Sequence, residues 1–373
     1  MFIRNRVLLV AGALVFALLV SSFQATAQDK KPAPKLDKAQ QAEIAAAVKI
    51  VDDAMGGQAA PSDIKFSWVT HFMKGQDGRE YVPFLMLLEK DQKLPPTVTY
   101  YVRVATKASI AEQQKAQAAY KVALAKAEDE VKLDPENPDV AEAANKLRAM
   151  PPTVEYAFED MKTFTLNAQL GATFRIPSSA MVPAGEYEVY LLLKEPSANV
   201  KDKKAQPKAG LMKTTLTVPD FSTQPLMTSS VLLTKAPDNP QAQQLQKDPV
   251  RNPYVYFSVA PEAIPLERKF PKKTWLSISL YVYNTGLDAA TKLPNLTVDC
   301  SFFHKADGAE KLFNATGPQP FGAKADPKVG VFVGTEVPLE TFPEGEYRLE
   351  IKIVDKVTGK TKVENAQFTV LPG

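Results

Sequence analysis

From Lys38 to Met55 the apolar residues Ile44, Val48, Val51 and Met55 recur at helical spacing, and Gly56-Gly57 follows as a stop. The spacing predicts one amphipathic helix. Beyond it the period drops to two. Phe66, Trp68, Thr70 and Phe72 fall on one side of a strand, with Lys65, Ser67 and His71 on the other. Val98, Tyr100, Val102 and Val104 repeat the alternation, as do Phe164, Leu166, Ala168 and Leu170. Such strands, parted by turns containing Pro and Gly, predict an antiparallel sandwich. Residues 108–150 interrupt the series. They are rich in Ala, Gln, Lys and Glu, with Ile110, Leu124 and Val131 at heptad spacing, then the turn LDPENPD and a second stripe at Val140, Ala144 and Leu147. This stretch reads as a helical hairpin set between two strands of the sandwich.

One segment occurs twice. Pro183-Ala184-Gly185-Glu186-Tyr187-Glu188-Val189-Tyr190-Leu191 returns as Pro343-Glu344-Gly345-Glu346-Tyr347-Arg348-Leu349-Glu350-Ile351. In each copy a tight turn feeds a strand with apolar alternate positions: Tyr187, Val189, Leu191 and Leu193, then Tyr347, Leu349, Ile351 and Ile353. A last short strand follows each, at 214–218 and 367–370. The tyrosine beside the turn can bury its ring while its hydroxyl reaches a backbone group, as in a tyrosine corner. Two copies, each closing a β region, predict two tandem sandwiches over 61–219 and 226–373. The junction falls near Pro219 to Pro225, and the chain restarts at Ser229-Ser230-Val231-Leu232-Leu233.

The Pro-x-Gly-Glu-Tyr turn, the alternating aliphatics after it and the final strand resemble the last strands of bacterial immunoglobulin-like domains. With Pro253-Tyr254-Val255-Tyr256 and the run Trp275 to Asn284, the second unit is similar to β modules attached to secreted bacterial proteins of the GWxTD and von Willebrand factor A-related groups. The resemblance implies a mainly β chain of two tandem immunoglobulin-like antiparallel sandwiches, with an N-terminal helix and a helical hairpin inserted in the first. No Gly-Trp-x-Thr-Asp motif and no Asp-x-Ser-x-Ser metal motif is present. A scaffold is implied, and no functional residue is carried over.

The chain opens with Arg4 and Arg6, an uncharged aliphatic run from Val7 to Val20, and Ala25-Thr26-Ala27. That order is the pattern of a secretory signal peptide over 1–27. The run is short for the roughly 20 residues that a bilayer requires. Cleavage after Ala27 is therefore expected, leaving a polar lead-in at the start of 28–60, no stable membrane span, and a periplasmic or secreted protein. Charge adds a second bound. The 45 Lys+Arg against 42 Asp+Glu leave a net charge of +3, and loss of the two leader arginines brings the mature chain closer to neutrality. A nucleic-acid partner calls for a clear basic excess, so none is expected.

One cysteine and two histidines argue against a disulfide framework or a zinc site. His71 could act as a general base with Asp77 or Glu80 as orienting group, but an exposed strand histidine is the plainer expectation. Cys300 and His304, four residues apart on one strand face, would stand roughly 13 Å apart, too far for a nucleophilic pair. A buried Cys300 and a strand-end His304 are expected instead. Glu159-Asp160 before Lys162 reads as a loop or strand start, a solvated turn being the simpler account, Glu128-Asp129-Glu130 as a solvated helix face, and Lys201 to Lys208 as a solvated basic loop. Gly56-Gly57 and Gly75-x-x-Gly78 lack the context of a phosphate loop. On Trp275 to Tyr283 the aliphatics Leu276, Ile278, Leu280 and Val282 mark a core side, which sets Trp275, Tyr281 and Tyr283 on the outer side with Ser277 and Ser279. An exposed aromatic strip there would suit a sugar or a protein partner; cover by a loop or by the other unit is the competing expectation.

The sequence thus points to an exported, non-enzymatic binding or scaffolding protein of the bacterial cell envelope. The expected partner is an envelope protein or glycan, with Trp275, Tyr281 and Tyr283 as candidate binding residues. No catalytic residue, metal ligand or cofactor is assigned. An exported hydrolase whose carboxylates converge only in three dimensions, and a periplasmic chaperone or assembly factor, are the alternatives.

Overall fold

The computed structural model describes residues 37–89, 92, 95–149, 152–166, 173–200, 206–236, 252–306, 308–323, 325–326 and 328–373. The expected signal peptide over 1–27, most of the expected lead-in, Met150, Ala168, Leu170 and residues 201–205 lie outside them. Strands dominate the described residues and pair into four sheets, antiparallel except for one parallel pair.

Helix α1 (Lys38–Met55) begins at Asp37, whose carboxylate accepts the Gln40 N–H while the Gln40 amide returns to the Asp37 N–H. This capping box satisfies two otherwise orphaned donors and fixes the start of the helix. The chain then runs through β1 (Ser67–Thr70), β2 (Glu80–Glu89), β3 (Thr97–Ala105), α2 (Lys107–Leu133), α3 (Pro138–Ala149), β4 (Phe158–Thr165), β5 (Thr173–Val182), β6 (Gly185–Lys194) and β7 (Ala209–Val218). One sheet has the order β1-β2-β5 and the other β4-β3-β6-β7. Val82, Phe84, Met86 and Leu88 of β2 pack with Val98, Tyr100 and Val102 of β3 and with Val189 and Leu191 of β6 in a shared core. Helices α2 and α3 form the expected hairpin between β3 and β4. The two pack on each other, the Tyr120 hydroxyl donating to Leu147 O at 3.2 Å and Arg148 pairing with Glu128 at 3.0 Å.

The second half follows as β8 (Met227–Thr228), β9 (Leu232–Lys235), β10 (Lys269–Pro271), β11 (Trp275–Tyr283), β12 (Leu296–Ala306), β13 (Ala309–Ala315), β14 (Gln319–Phe321), β15 (Val331–Pro338), β16 (Gly345–Asp355) and β17 (Thr361–Leu371). Strand β11 lies between β15 and the short β8 and β9, and the other sheet runs β10-β17-β16-β12-β13, with β14 also on β12. Leu276, Ile278, Leu280 and Val282 of β11 join Val298, Cys300, Leu349, Ile351 and Phe368 in one core. Both repeated turns behave as the sequence suggests. The Tyr187 hydroxyl donates to Pro183 O and the Tyr347 hydroxyl to Pro343 O, each at 2.8 Å. Gly345 carries φ of 133°, and a Cβ there would stand 2.8 Å from the His304 ring, so the turn needs glycine.

Two further layers cover outer sheet faces. Ala47, Val51 and Met55 of α1 lie on Tyr101 of β3 and on Tyr190 and Leu192 of β6. The buried stripe is therefore Ala47-Val51-Met55, while Ile44 and Val48 are only half-buried. On the other sheet, Tyr81, Leu85 and Leu87 are covered by Tyr254, Phe257, Val259 and Ile264, together with Leu232. The Tyr81 hydroxyl donates to Pro253 O at 2.9 Å across this junction. Among the described residues no helix is long and apolar enough to cross a membrane.

Candidate binding cleft

Strand β11 alternates as expected: its aliphatics are fully buried, and its aromatics take the outer side. That outer side is not one continuous exposed strip. Trp275 is 53% exposed and Tyr281 half-buried, but Tyr283 retains only 2% of its surface. Tyr283 is covered by Phe221, edge-on at 5.4 Å, and by the Lys74 N–H, which donates to its hydroxyl at 3.3 Å. At Tyr283 the competing expectation of cover holds: the Lys74 segment of the first half and Phe221 of the junction lie over that end of β11, so Tyr283 is not part of an exposed strip. Tyr281 stands between. Its ring is parallel to Tyr283 at 6.0 Å and tilted against Phe332 at 5.3 Å, and its hydroxyl donates to Tyr256 O at 2.9 Å.

Beside Tyr281 opens a cleft of about 920 Å³ between the loops 288–295 and 320–332. Its apolar lining includes Tyr281, Phe321, Phe332, Pro294, Pro320 and Val329. Close backbone approaches shape it. A Cβ on Gly330, at φ of 107°, would meet the Tyr283 ring at 2.7 Å, and one on Gly322, at φ of 108°, would meet Pro294 O at 2.4 Å. Two carboxylates at the cleft are already engaged in their own loops. Asp288 accepts the Ala290 and Thr291 N–H groups at 3.0 and 2.9 Å, and these donors, Thr291 first, hold its carboxyl below the usual range. Asp326 accepts the Lys328 N–H at 2.9 Å. What remains is shape and aromatic surface, within the size range of ordinary ligand pockets. Trp275 and Tyr283 do not line it.

The other sequence candidates lie apart. His71 is buried, not exposed; its Nδ1 is 3.1 Å from the Tyr254 hydroxyl, and burial, then the charge of Arg268, lowers its pKa from 6.5 to about 4. Glu80 accepts N–H groups from Gly75 and Phe221 and so is occupied elsewhere. Cys300 is buried and its thiol pushed up to about 12 by that burial. His304 ends β12, stacked on Tyr347 at 4.8 Å, with Nε2 3.2 Å from Glu344 O.

Glu159 and Asp160 are on β4, not in a solvated turn. Glu159 pairs with the buried Arg103 at 2.8 Å, and Asp160 accepts from the Tyr100 hydroxyl. Arg103 also reaches Asp52 of α1 and lies over the Tyr156 ring at 4.1 Å. Glu128 and Glu130 make exposed ion pairs with Arg148 and Lys126, in keeping with a solvated face. Among the described residues no group of three or more His, Cys, Asp or Glu side chains is placed to hold a metal. Sequence reasoning missed Phe332. The available signal was Gly330-Val331-Phe332-Val333-Gly334, a phenylalanine on the outward register between glycines.

No protein-family model matches this chain, and no curated protein matches it. Among solved structures it is similar to one named pT26-6p, at 9% identity, over 91% of this chain and 70% of that one, with a TM-score of 0.17. At that score the likeness supports no statement about fold or function.

Proposed function

We propose that this chain is an exported, non-enzymatic binding or scaffolding protein of the bacterial cell envelope, built of two immunoglobulin-like modules similar to those of secreted GWxTD and von Willebrand factor A-related proteins. The repeated strand order and the two tyrosine corners support the module reading. The observation that carries the binding reading is the aromatic cleft beside Tyr281. Its occupant is an extended peptide of a protein partner. Strand β15, which contributes Val331 and Phe332 to the cleft, is the last strand of its sheet among the described residues and pairs only with β11. Its other edge can take a peptide main chain while Phe321, Phe332 and the prolines receive apolar side chains. The lining is mainly apolar and aromatic, and Asp288 already accepts three donors of its own loop, which suits apolar peptide side chains.

The test is an array of extended peptides beside an array of glycans, each probed with the mature chain and with Phe332→Ala. Peptide binding lost in the variant is the expected result. Retention on glycans alone, or turnover of either library, would overturn the reading.

A further inference from the structure

A second concavity lies where the halves meet, and its walls are polar. It encloses about 310 Å³ between the end of β1, the segment 229–234 and residues 264–268. His71, Ser230, Thr234 and Arg268 line it. His71 is 7% exposed and Thr234 3%; both line the crevice, and neither the Nε2 of His71 nor the hydroxyl of Thr234 has a hydrogen-bond partner among the described residues.

The tautomer of His71 follows from its neighbour. Among the described residues the buried Tyr254 hydroxyl has one hydrogen-bond partner, His71 Nδ1; donating there satisfies the hydroxyl proton and sets the imidazole proton on Nε2. A neutral N–H donor therefore faces the crevice. Ser230 Oγ accepts the Phe72 N–H at 2.9 Å, which leaves its own proton free to donate. Arg268 adds the charge: its side chain makes no ion pair among the described residues and donates only to Val231 O, at 3.5 Å. Glu364 also lines the crevice, but its carboxylate is held by the Thr228 hydroxyl at 2.7 Å and by Lys362 at 3.3 Å. Donors and one unpaired cation converge on a small volume.

We propose that this crevice binds a compact oxyanion, a carboxylate or phosphate group, with Arg268 as the charged anchor and His71 Nε2–H, Ser230 and Thr234 as neutral donors. Arginine suits either group because its planar fork matches two oxygens at once. The site is separate from the aromatic cleft and does not depend on what that cleft holds.

The chain has only two histidines, so its imidazole carbon-bound proton signals form a two-line reporter. The mature chain is titrated with inorganic phosphate in one arm and acetate in the other, at constant ionic strength set by chloride. A saturable shift of the His71 signal with His304 unmoved is expected, half-complete at about 1 mM or below. The arm that saturates names the anion. Arg268→Gln should weaken binding at least about ten-fold, and Arg268→Lys less. Equal melting temperatures without anion show that the variants are folded, since Arg268 is exposed and bonded to one carbonyl alone. No saturable shift in either arm, parallel drift of both histidines, or undiminished binding by Arg268→Gln would overturn the proposal.

Discussion

Strands β6 and β16 start from the same turn and end as different objects. Their inward residues correspond: Tyr187 with Tyr347, Val189 with Leu349, Leu191 with Ile351, Leu193 with Ile353, and all are buried. Their outward residues part company. Strand β6 presents Tyr190, Leu192 and Lys194, which α1 covers, whereas β16 presents Arg348, Glu350 and Lys352 to water or to surface ion pairs. One strand is buried on both faces and the other on one. A covered sheet reads as a nearly continuous apolar run and a half-solvated one as an alternation, so the difference is written in the residues themselves. The covered face also encloses charges that the open one leaves in water. Arg103 and Lys194 are buried with their partners: Asp52 and Glu43 come with the covering helix, and Glu159 stands on the neighbouring strand β4.

The contrast can be broken most forcefully at Arg103. Arg103→Ala removes the cation shared by Glu159 and by Asp52, whose mostly buried carboxylate keeps only the Gln113 and Gln117 amides, and should cost about 3 kcal/mol by denaturant unfolding. Ser301, which faces Glu350 as Arg103 faces Tyr190, is the matching position in the open half.

Acid should find a second difference. The pKa of His71 falls from 6.5 unfolded to about 4 folded, chiefly through burial. The unfolded chain then binds the extra proton more readily between those values, so stability present above pH 6.5 declines as pH drops toward 4, by about 3 kcal/mol in all. In His71→Gln this limb of a pH-unfolding series, run in chloride without carboxylate or phosphate buffers, should flatten.

Next comes Lys194→Ala, which leaves Glu43 with only Ser197 for a partner and should cost about 2 kcal/mol. The tyrosine corners sharpen the comparison from its shared side. Tyr187→Phe and Tyr347→Phe each remove one hydroxyl–carbonyl bond, so thermal melts should show nearly equal losses of about 1 kcal/mol. Unequal values would show that the two turns are not mechanical equivalents. Smallest of all, Ser301→Ala should shift stability by less than about 0.5 kcal/mol.

Much of the scaffold was legible for a simple physical reason: period and turn chemistry act locally. The helix ending at Gly56-Gly57 and the two corner tyrosines rest on contacts a few residues apart, and the two helices of the hairpin each follow from their own period and the short turn between them. The site was less legible. The sequence could place Trp275, Tyr281 and Tyr283 on one side of β11, but Tyr283 was buried by Phe221 and the Lys74 segment, which arrive from other parts of the chain. Glu159 looked like a turn residue because its partner, Arg103, lies on a neighbouring strand and Asp52 on a distant helix. His71 looked exposed because Tyr254 belongs to the other half.

By itself, then, the order of residues settled which side of each strand is apolar, where chain reversals fall, and that the closing hairpin is used twice. Those depend on covalent spacing and on side chains beside one another. Which polar faces would be roofed over, which aromatics would keep their surface, and where Arg268 would meet His71 were decided only when remote segments packed together. Burial is a property of what lies on top, and nothing within a strand encodes its cover.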